Sequence, residues 1–259
     1  MMGSKADVVV MAGTADGRQI VSELAKLNIK VIVTVTSSFG SELLEGCSGV
    51  DVRVGKLGAE EIASLIKRTG VSCLVDASHP YAREASINAI VACRKAKVAY
   101  LRFERREANF QYTGIIRVRS FDEAAEKLKE FAGNILLTIG SSYLKPFTQK
   151  VSDYRQRLFA RVLPQSSVLA KCEEAGLTAH NIIAVKGPFT VEMNVEMLKY
   201  CEAKVVVTKD SGEPGGSSEK LEAAKLLGIP VILVERPKID YGEVASSVES
   251  VVDFVISHL

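Results

Sequence analysis

The chain has 259 residues, 47% of them hydrophobic, which suits one large domain or two small ones with a real core. A net charge of +2 is too small to argue for nucleic acid or a membrane surface as partner, and no apolar run reaches transmembrane length. His79, His180 and His258 lie far apart, and Cys47, Cys73, Cys93, Cys172 and Cys201 form no C-x-x-C pair, so no metal is expected and reduced thiols in a cytoplasmic protein are. The short polar start, Met1 to Lys5, is expected to carry no secretory signal.

Val8–Met11 opens the pattern as a buried strand rich in β-branched residues. Gly13 and Gly17 bracket a tight turn, and apolar residues then recur at Ile20, Val21, Leu24 and Leu27 with helical spacing. A strand that feeds a helix through glycines leaves backbone N–H groups at the helix start, where the dipole favours a phosphate. Gly13, Thr14, Ala15, Gly17 and Arg18 are therefore candidate nucleotide-binding residues. The turn does not match G-x-G-x-x-G, because Ala15 and Arg18 stand where the second and third glycines belong. The same residues would also serve a plain strand-to-helix turn with no ligand.

Strand-like runs follow at Val31–Thr36, Val50–Val54, Cys73–Asp76 and Val98–Leu101. Helical patterns at Arg18–Leu27, Ser41–Leu44, Ala59–Arg68 and Glu84–Lys97 separate them. This alternation predicts an α/β unit: a parallel sheet with helices on both faces and ligands beyond the carboxyl ends of the strands. After the second strand comes Thr36-Ser37-Ser38, where a protein preferring NAD would place an acid for the ribose. Hydroxyls there, with Arg18, Arg53 or Lys56 for charge, suit a 2′-phosphate, although ordinary loop hydroxyls would look the same. Asp76-Ala77-Ser78-His79-Pro80-Tyr81 closes the fourth strand. Pro80 suits a first helical turn, while His79 and Tyr81 are expected to face a cleft where either could donate a proton. A capping or packing role for His79 is the plainer alternative.

Arg102-Phe103-Glu104-Arg105-Arg106-Glu107 breaks the pattern with charge, and a domain junction is expected between about Phe103 and Ile116. Residues 1–105 would form a dinucleotide-binding domain and 106–259 a substrate domain. The second half alternates again. Its strand-like runs are Ile135–Ile139, Leu158–Val162, Ile182–Val185, Lys204–Thr208 and Val231–Val234. Its helical patterns are Phe121–Phe131, Ser167–Ala175, Val191–Tyr200, Ser218–Leu227 and Val248–His258. Its strand ends carry Gly140–Tyr143, Lys186–Phe189 and Lys209–Gly216. The last is the richest loop, with glycines that allow close backbone approach, Lys209 and Lys220 as cationic donors, and Asp210 to orient one of them. A mobile surface loop would have a similar composition. Tyr200 and Lys204 have the spacing of a short-chain dehydrogenase pair, but they end a helix and start a strand.

These segments together resemble the precorrin-6A reductase family (CobK/CbiJ) of corrin-ring biosynthesis. The resemblance rests on Gly13-Thr14-Ala15-Asp16-Gly17-Arg18, Asp76 to Ala82, Leu101 to Arg105, Gly187-Pro188-Phe189, Thr208 to Gly212 and Glu219 to Ala224. The family often has Gly-Gly-Thr-x-Glu and Thr-His-Pro-Phe where this chain has Ala12 to Asp16 and Ser78 to Tyr81. The resemblance implies two Rossmann-like parallel-sheet domains with a cleft between them. It implies hydride transfer from NADPH, with NADH left open, to C19 of precorrin-6A or cobalt-precorrin-6A, giving the 6B form. It implies cofactor contacts from Gly13, Thr14, Ala15, Gly17, Arg18, Thr36, Ser37, Ser38, Lys56, Ser78, His79, Pro80 and Tyr81. The macrocycle's carboxylates call for cations, for which Arg102, Arg105, Lys186, Lys209 and Lys220 are candidates, joined by Ser141, Tyr143, Asp210, Ser211 and Gly212. Lys209 or His79 would stabilise charge during transfer. A methyltransferase using S-adenosylmethionine, or a non-catalytic nucleotide-binding module, are the rival readings.

Overall fold

A computed structural model describes residues 6–36, 38–42, 49–104, 110–212 and 216–259. The chain divides into two compact units, one of Met1–Arg106 with Pro237–Leu259 and one of Glu107–Arg236. The sequence reading gave everything after residue 105 to the second unit; the last 23 residues instead return to the first. The reason is an open sheet edge. The two-residue strand Val244–Ala245 pairs in parallel with Arg102 and Phe103, and the apolar face of the final helix packs behind it.

In the first unit the elements are β1 (Val8–Met11), α1 (Ala15–Lys26), β2 (Val31–Val35), α2 (Ser38–Glu42), β3 (Val50–Val54), α3 (Ala59–Thr69), β4 (Cys73–Asp76), α4 (Arg83–Ala96) and β5 (Ala99–Phe103). The second unit holds β6 (Ile115–Val118), α5 (Phe121–Lys127), β7 (Asn134–Leu137), α6 (Lys145–Lys150), α7 (Tyr154–Arg157), β8 (Leu158–Val162), α8 (Ser166–Glu174), β9 (Ile182–Ala184), α9 (Val191–Tyr200), β10 (Ala203–Lys209), α10 (Ser217–Leu226) and β11 (Val231–Val234). The return adds β12 (Val244–Ala245) and α11 (Val248–Ser257).

Both sheets have six strands, all parallel. The first runs β12-β5-β4-β1-β2-β3 and the second β6-β11-β10-β7-β8-β9. Read in the same direction, the second has the same doubly wound order as the first, with β7 in the place of β1 and β10 in the place of β4. Each order reverses at one point, between β1 and β4 and between β7 and β10, and such a switch point opens a crevice at the strands' carboxyl ends.

Continuous burial of β1 follows from having a core on each face. Val8 and Val10 pack with Ile20, Val21, Leu24 and Val251, whereas Val9 and Met11 pack with Ile62, Ile66, Ala89 and Cys93. In the second unit Leu136, Phe159 and Val206 face Leu198 of α9 and Leu221 and Ala224 of α10. The sequence reading missed β6 and β12, both short edge strands, and ended the fifth strand at Leu101. That strand continues through Arg102 because Asp76, its register partner on β4, neutralises the guanidinium inside the sheet.

Candidate functional site

The first switch point is built on backbone. Thr14 caps α1: its hydroxyl accepts from Gly17 N at 3.0 Å and donates to the Ala77 carbonyl at 3.1 Å, tying the end of β1 to the end of β4. A Cβ on Gly17 would lie 2.9 Å from Ala12 Cα and 3.3 Å from Ala77 O, so only glycine lets α1 sit this low on the sheet. Gly13 is different. It is exposed, and a Cβ there would meet nothing within 4 Å. Ala15 is exposed beside it and Arg18 half-buried. Among the described residues no protein acceptor meets the N–H of Gly13 or Ala15, so the first turn of α1 offers donors outward. Val35 and Val54 are register partners, hence exposed Thr36 and exposed Lys56 leave adjacent strands side by side. Arg53 is held by Asp51 at 2.7 Å. Ser38 begins α2, and Ser37 lies outside the described residues. These features fit the phosphates of a nicotinamide dinucleotide.

Beyond β4 the chain makes a turn closed by Ala82 N donating to His79 O at 2.7 Å. Pro80 fills the second position of that turn, where its fixed φ is favoured; α4 begins only at Arg83, so Pro80 is not in a helix as expected. Tyr81 is buried, and its N–H donates to His79 Nδ1 at 3.2 Å, which puts any proton of a neutral imidazole on Nε2. Of the expected proton donors, half-buried His79 is accessible and Tyr81 is not. Ser78 is also drawn into the scaffold: its N–H donates to Asp76 Oδ1 at 3.0 Å and its hydroxyl accepts from Arg102 Nη1 at 3.2 Å.

Arg102 corrects a further expectation. Instead of meeting a substrate it is fully buried, pairing with Asp76 at 3.0 Å and Glu104 at 2.9 Å, with Tyr241 from the returning segment 5.0 Å over its plane. Burial pulls its pKa down, but the two carboxylates outweigh that and hold it above the ordinary arginine value. Tyr100 donates to Asp76 Oδ2 at 2.9 Å, and burial with that carboxylate raises the phenol's pKa. Arg105 lies outside the described residues.

The second switch point is built on side chains. Lys209 ends β10, and burial lowers its pKa to about 8. Lys220, buried on α10, is lowered to about 7 by burial and then by the charges of Arg161 and Lys209, with Glu219 opposing. Arg161 on β8 is buried and lowered to about 10 by desolvation. Its partners are Asn194 Oδ1 at 2.7 Å, Met197 Sδ at 3.4 Å and the Phe189 ring at 4.3 Å. Asp210 is tied to its own bend and to Arg236. Its carboxylate accepts from Gly212 N at 3.2 Å and lies 3.6 Å from Arg236 Nη2, whose Nε donates to the Asp210 carbonyl. Ser211 and Gly212 are buried in the same bend, and Gly212 has φ +73°. Lys186 is exposed after β9. Ser141 and Tyr143 form a short 3-10 turn after β7, where Tyr143 stacks on Phe121 with centroids 4.0 Å apart. A cavity of about 610 Å³ opens at the opposite, amino-terminal ends of β7, β8 and β9, lined by Asn134, Phe159, His180, Ile183, Tyr200 and Glu202.

The family profile described as "Precorrin-6x reductase CbiJ/CobK" matches residues 7–256. The chain belongs to this family. It is 40% identical over 251 residues to a cobalt-precorrin-6A reductase of Priestia megaterium, covering 96% of this chain and 98% of the relative. It is 39% identical over 261 residues to a cobalt-precorrin-6A reductase of Methanothermobacter thermautotrophicus, covering 98% and 85%. A solved structure of "CobK precorrin-6A reductase" superposes with a TM-score of 0.79 at 26% identity, covering 98% of this chain and 97% of that one. The expected reductase family and two-sheet α/β fold are thus borne out, and the methyltransferase and regulatory readings are set aside.

Sequence reasoning missed Arg161, Asn194, Thr208, Ser217, Arg236 and Tyr241. One signal was available: Arg161 stands alone in the otherwise apolar strand Leu158–Val162, and a charge in a buried strand demands a reason. No helix among the described residues is long and apolar enough to cross a membrane.

Proposed function

We propose that the chain reduces cobalt-precorrin-6A to its 6B form with NADPH, by hydride transfer to C19 of the macrocycle, as a cytoplasmic enzyme of cobalamin biosynthesis. The family match over residues 7–256 carries this reading, and membership makes the chain an oxidoreductase acting on a carbon–carbon double bond. Both relatives described above are named for the cobalt-bearing substrate, which supports that form.

The bound nicotinamide supplies the hydride, and the residues of the chain bind, orient and screen. The N–H groups of Gly13 and Ala15 receive the diphosphate, helped by the α1 dipole. Thr36 and Lys56 hold the 2′-phosphate, each charged hydrogen bond being worth about 1.5–3 kcal/mol. The second unit binds substrate carboxylates through Lys209, Lys220 and Lys186. Lys209 Nζ, still a cation at neutral pH, stabilises charge as hydride is delivered, and His79 Nε2 is the alternative proton source. Positioning alone contributes about 7–11 kcal/mol in favourable cases, so no indispensable acid is required.

The test is loss of nicotinamide absorbance when purified protein, NADPH and the tetrapyrrole are combined; oxidation without tetrapyrrole, or none with it, defeats the reading. Lys209→Ala should raise the KM for tetrapyrrole more than that for NADPH, and equal rises count against the assignment. Lys56→Ala should weaken NADPH severalfold while sparing NADH; an unchanged ratio removes Lys56 from the 2′-phosphate.

A further inference from the structure

Three side chains share one face of the second sheet at the carboxyl ends of its strands. Phe159 pairs with Leu136, and Leu136 with Val206, all on the face toward α9 and α10. Two residues on, the same face carries Arg161 on β8, Thr138 after β7 and Thr208 on β10. This row crosses the switch point of the second sheet. Above it α9 supplies Asn194, and α10 supplies Ser217 and Lys220, which lie one turn apart.

Among the described residues, the polar groups of this cluster are not all satisfied. Arg161 is 8% exposed, yet its described partners, Asn194, Met197 and Phe189, are all uncharged. The hydroxyls of Thr208 and Ser217, each 0% exposed, have no hydrogen-bond partner. Among the described residues Glu219 is an acid whose charge acts on Lys220, and one of its carboxylate oxygens is likewise buried without a partner. A second described carboxylate, Asp210, is engaged by Arg236 and by Gly212 N. Buried polar groups are normally satisfied, and a buried cation without a counter-charge is strongly destabilising. A buried guanidinium whose described partners are neutral, beside two unsatisfied hydroxyls that can donate, is what an oxyanion completes. At the first switch point the corresponding cation, Arg102, already has its carboxylates.

We infer that Arg161, Lys220, Thr208 and Ser217 form a buried oxyanion site at the second switch point, and that the anion it takes is a single carboxylate of the substrate. The inference rests on the proposed function for the identity of the substrate, but not for the existence of the site. Arg161 provides a planar pair of N–H donors matched to a carboxylate, Lys220 a second cation, and the two hydroxyls complete the donor set. The site lies wholly inside the second unit.

Acetate and succinate, added at constant ionic strength, serve as probes in thermal unfolding of the whole protein. Either should raise the Tm of the wild type by several degrees, and the gain should disappear in Arg161→Met, which keeps the volume and stays folded by circular dichroism. Ser217→Ala, which leaves both cations in place, should reduce the gain without abolishing it. In steady-state assays Arg161→Met should raise the tetrapyrrole KM about tenfold or more, with the NADPH KM unchanged. The inference is overturned by the same Tm gain in wild type and Arg161→Met, by no gain in wild type, or by a rise in the NADPH KM instead of the tetrapyrrole KM. Failure of the wild type to oxidise NADPH with the tetrapyrrole overturns the proposed function, while the Tm series still decides on the site.

Discussion

The two switch points have the same winding and opposite chemistry. At the first, the one deeply buried guanidinium, Arg102, is matched by Asp76 and Glu104, and outward-facing groups are backbone N–H donors around Gly13 and Ala15. At the second, the described partners of buried Arg161 are neutral, and the charges of Arg161 and Lys209 act on buried Lys220 with Glu219 opposing. A doubly wound sheet fixes where a crevice forms, whereas the charge balance of the side chains around it fixes what the crevice is for.

Paired substitutions test that contrast most severely. Arg102→Met leaves Asp76 buried and uncompensated, and should cost about 3–5 kcal/mol in urea unfolding. Arg161→Met orphans no carboxylate and should cost far less; equal losses would erase the distinction drawn here. Gly17→Ala tests the backbone half. Its Cβ would meet Ala12 Cα at 2.9 Å, so about 1–3 kcal/mol of stability should be lost with weaker NADPH binding. Gly13→Ala, with open space around its Cβ, should leave stability nearly unchanged.

Next in size is a pH effect confined to the second unit. Lys220 has a folded pKa near 7 against an ordinary value of 10.5. Between those values the unfolded chain holds the extra proton, so folded stability climbs as pH rises through that window. Lys209, lowered to about 8, adds to the climb at its upper part. Lys220→Met should therefore gain most over wild type at pH 7 and below, and the gap should close toward pH 10.5. A pH-independent gap would mean that Lys220 is not charged against its surroundings. A smaller effect is expected of Thr14→Ala, about 1 kcal/mol from the lost cap of α1, largely restored in Thr14→Ser.

The buried runs Val8–Met11, Cys73–Asp76, Leu158–Val162 and Val231–Val234 were legible as strands because burial on both faces favours continuous apolar residues, interrupted in these runs by Asp76 and Arg161 alone. The Gly17 turn and the Lys209–Gly212 bend were legible as site candidates because glycines and charges cluster there. The charge of Arg102 was legible too, but its role was not, since Asp76, one of the two carboxylates that cancel it, lies 26 residues away and becomes a neighbour only through strand pairing.

Local pattern thus determined the alternating α/β elements and which loops end the strands, because periodicity and turn chemistry act over a few residues. Tertiary structure decided the rest: that Pro237–Leu259 completes the first sheet, that Arg102 is neutralised, and that Arg161, Thr208, Ser217 and Lys220 converge. Electrostatic pairing and edge completion depend on distance in space. In this chain those distances are set by sheet order, which no short stretch of sequence contains.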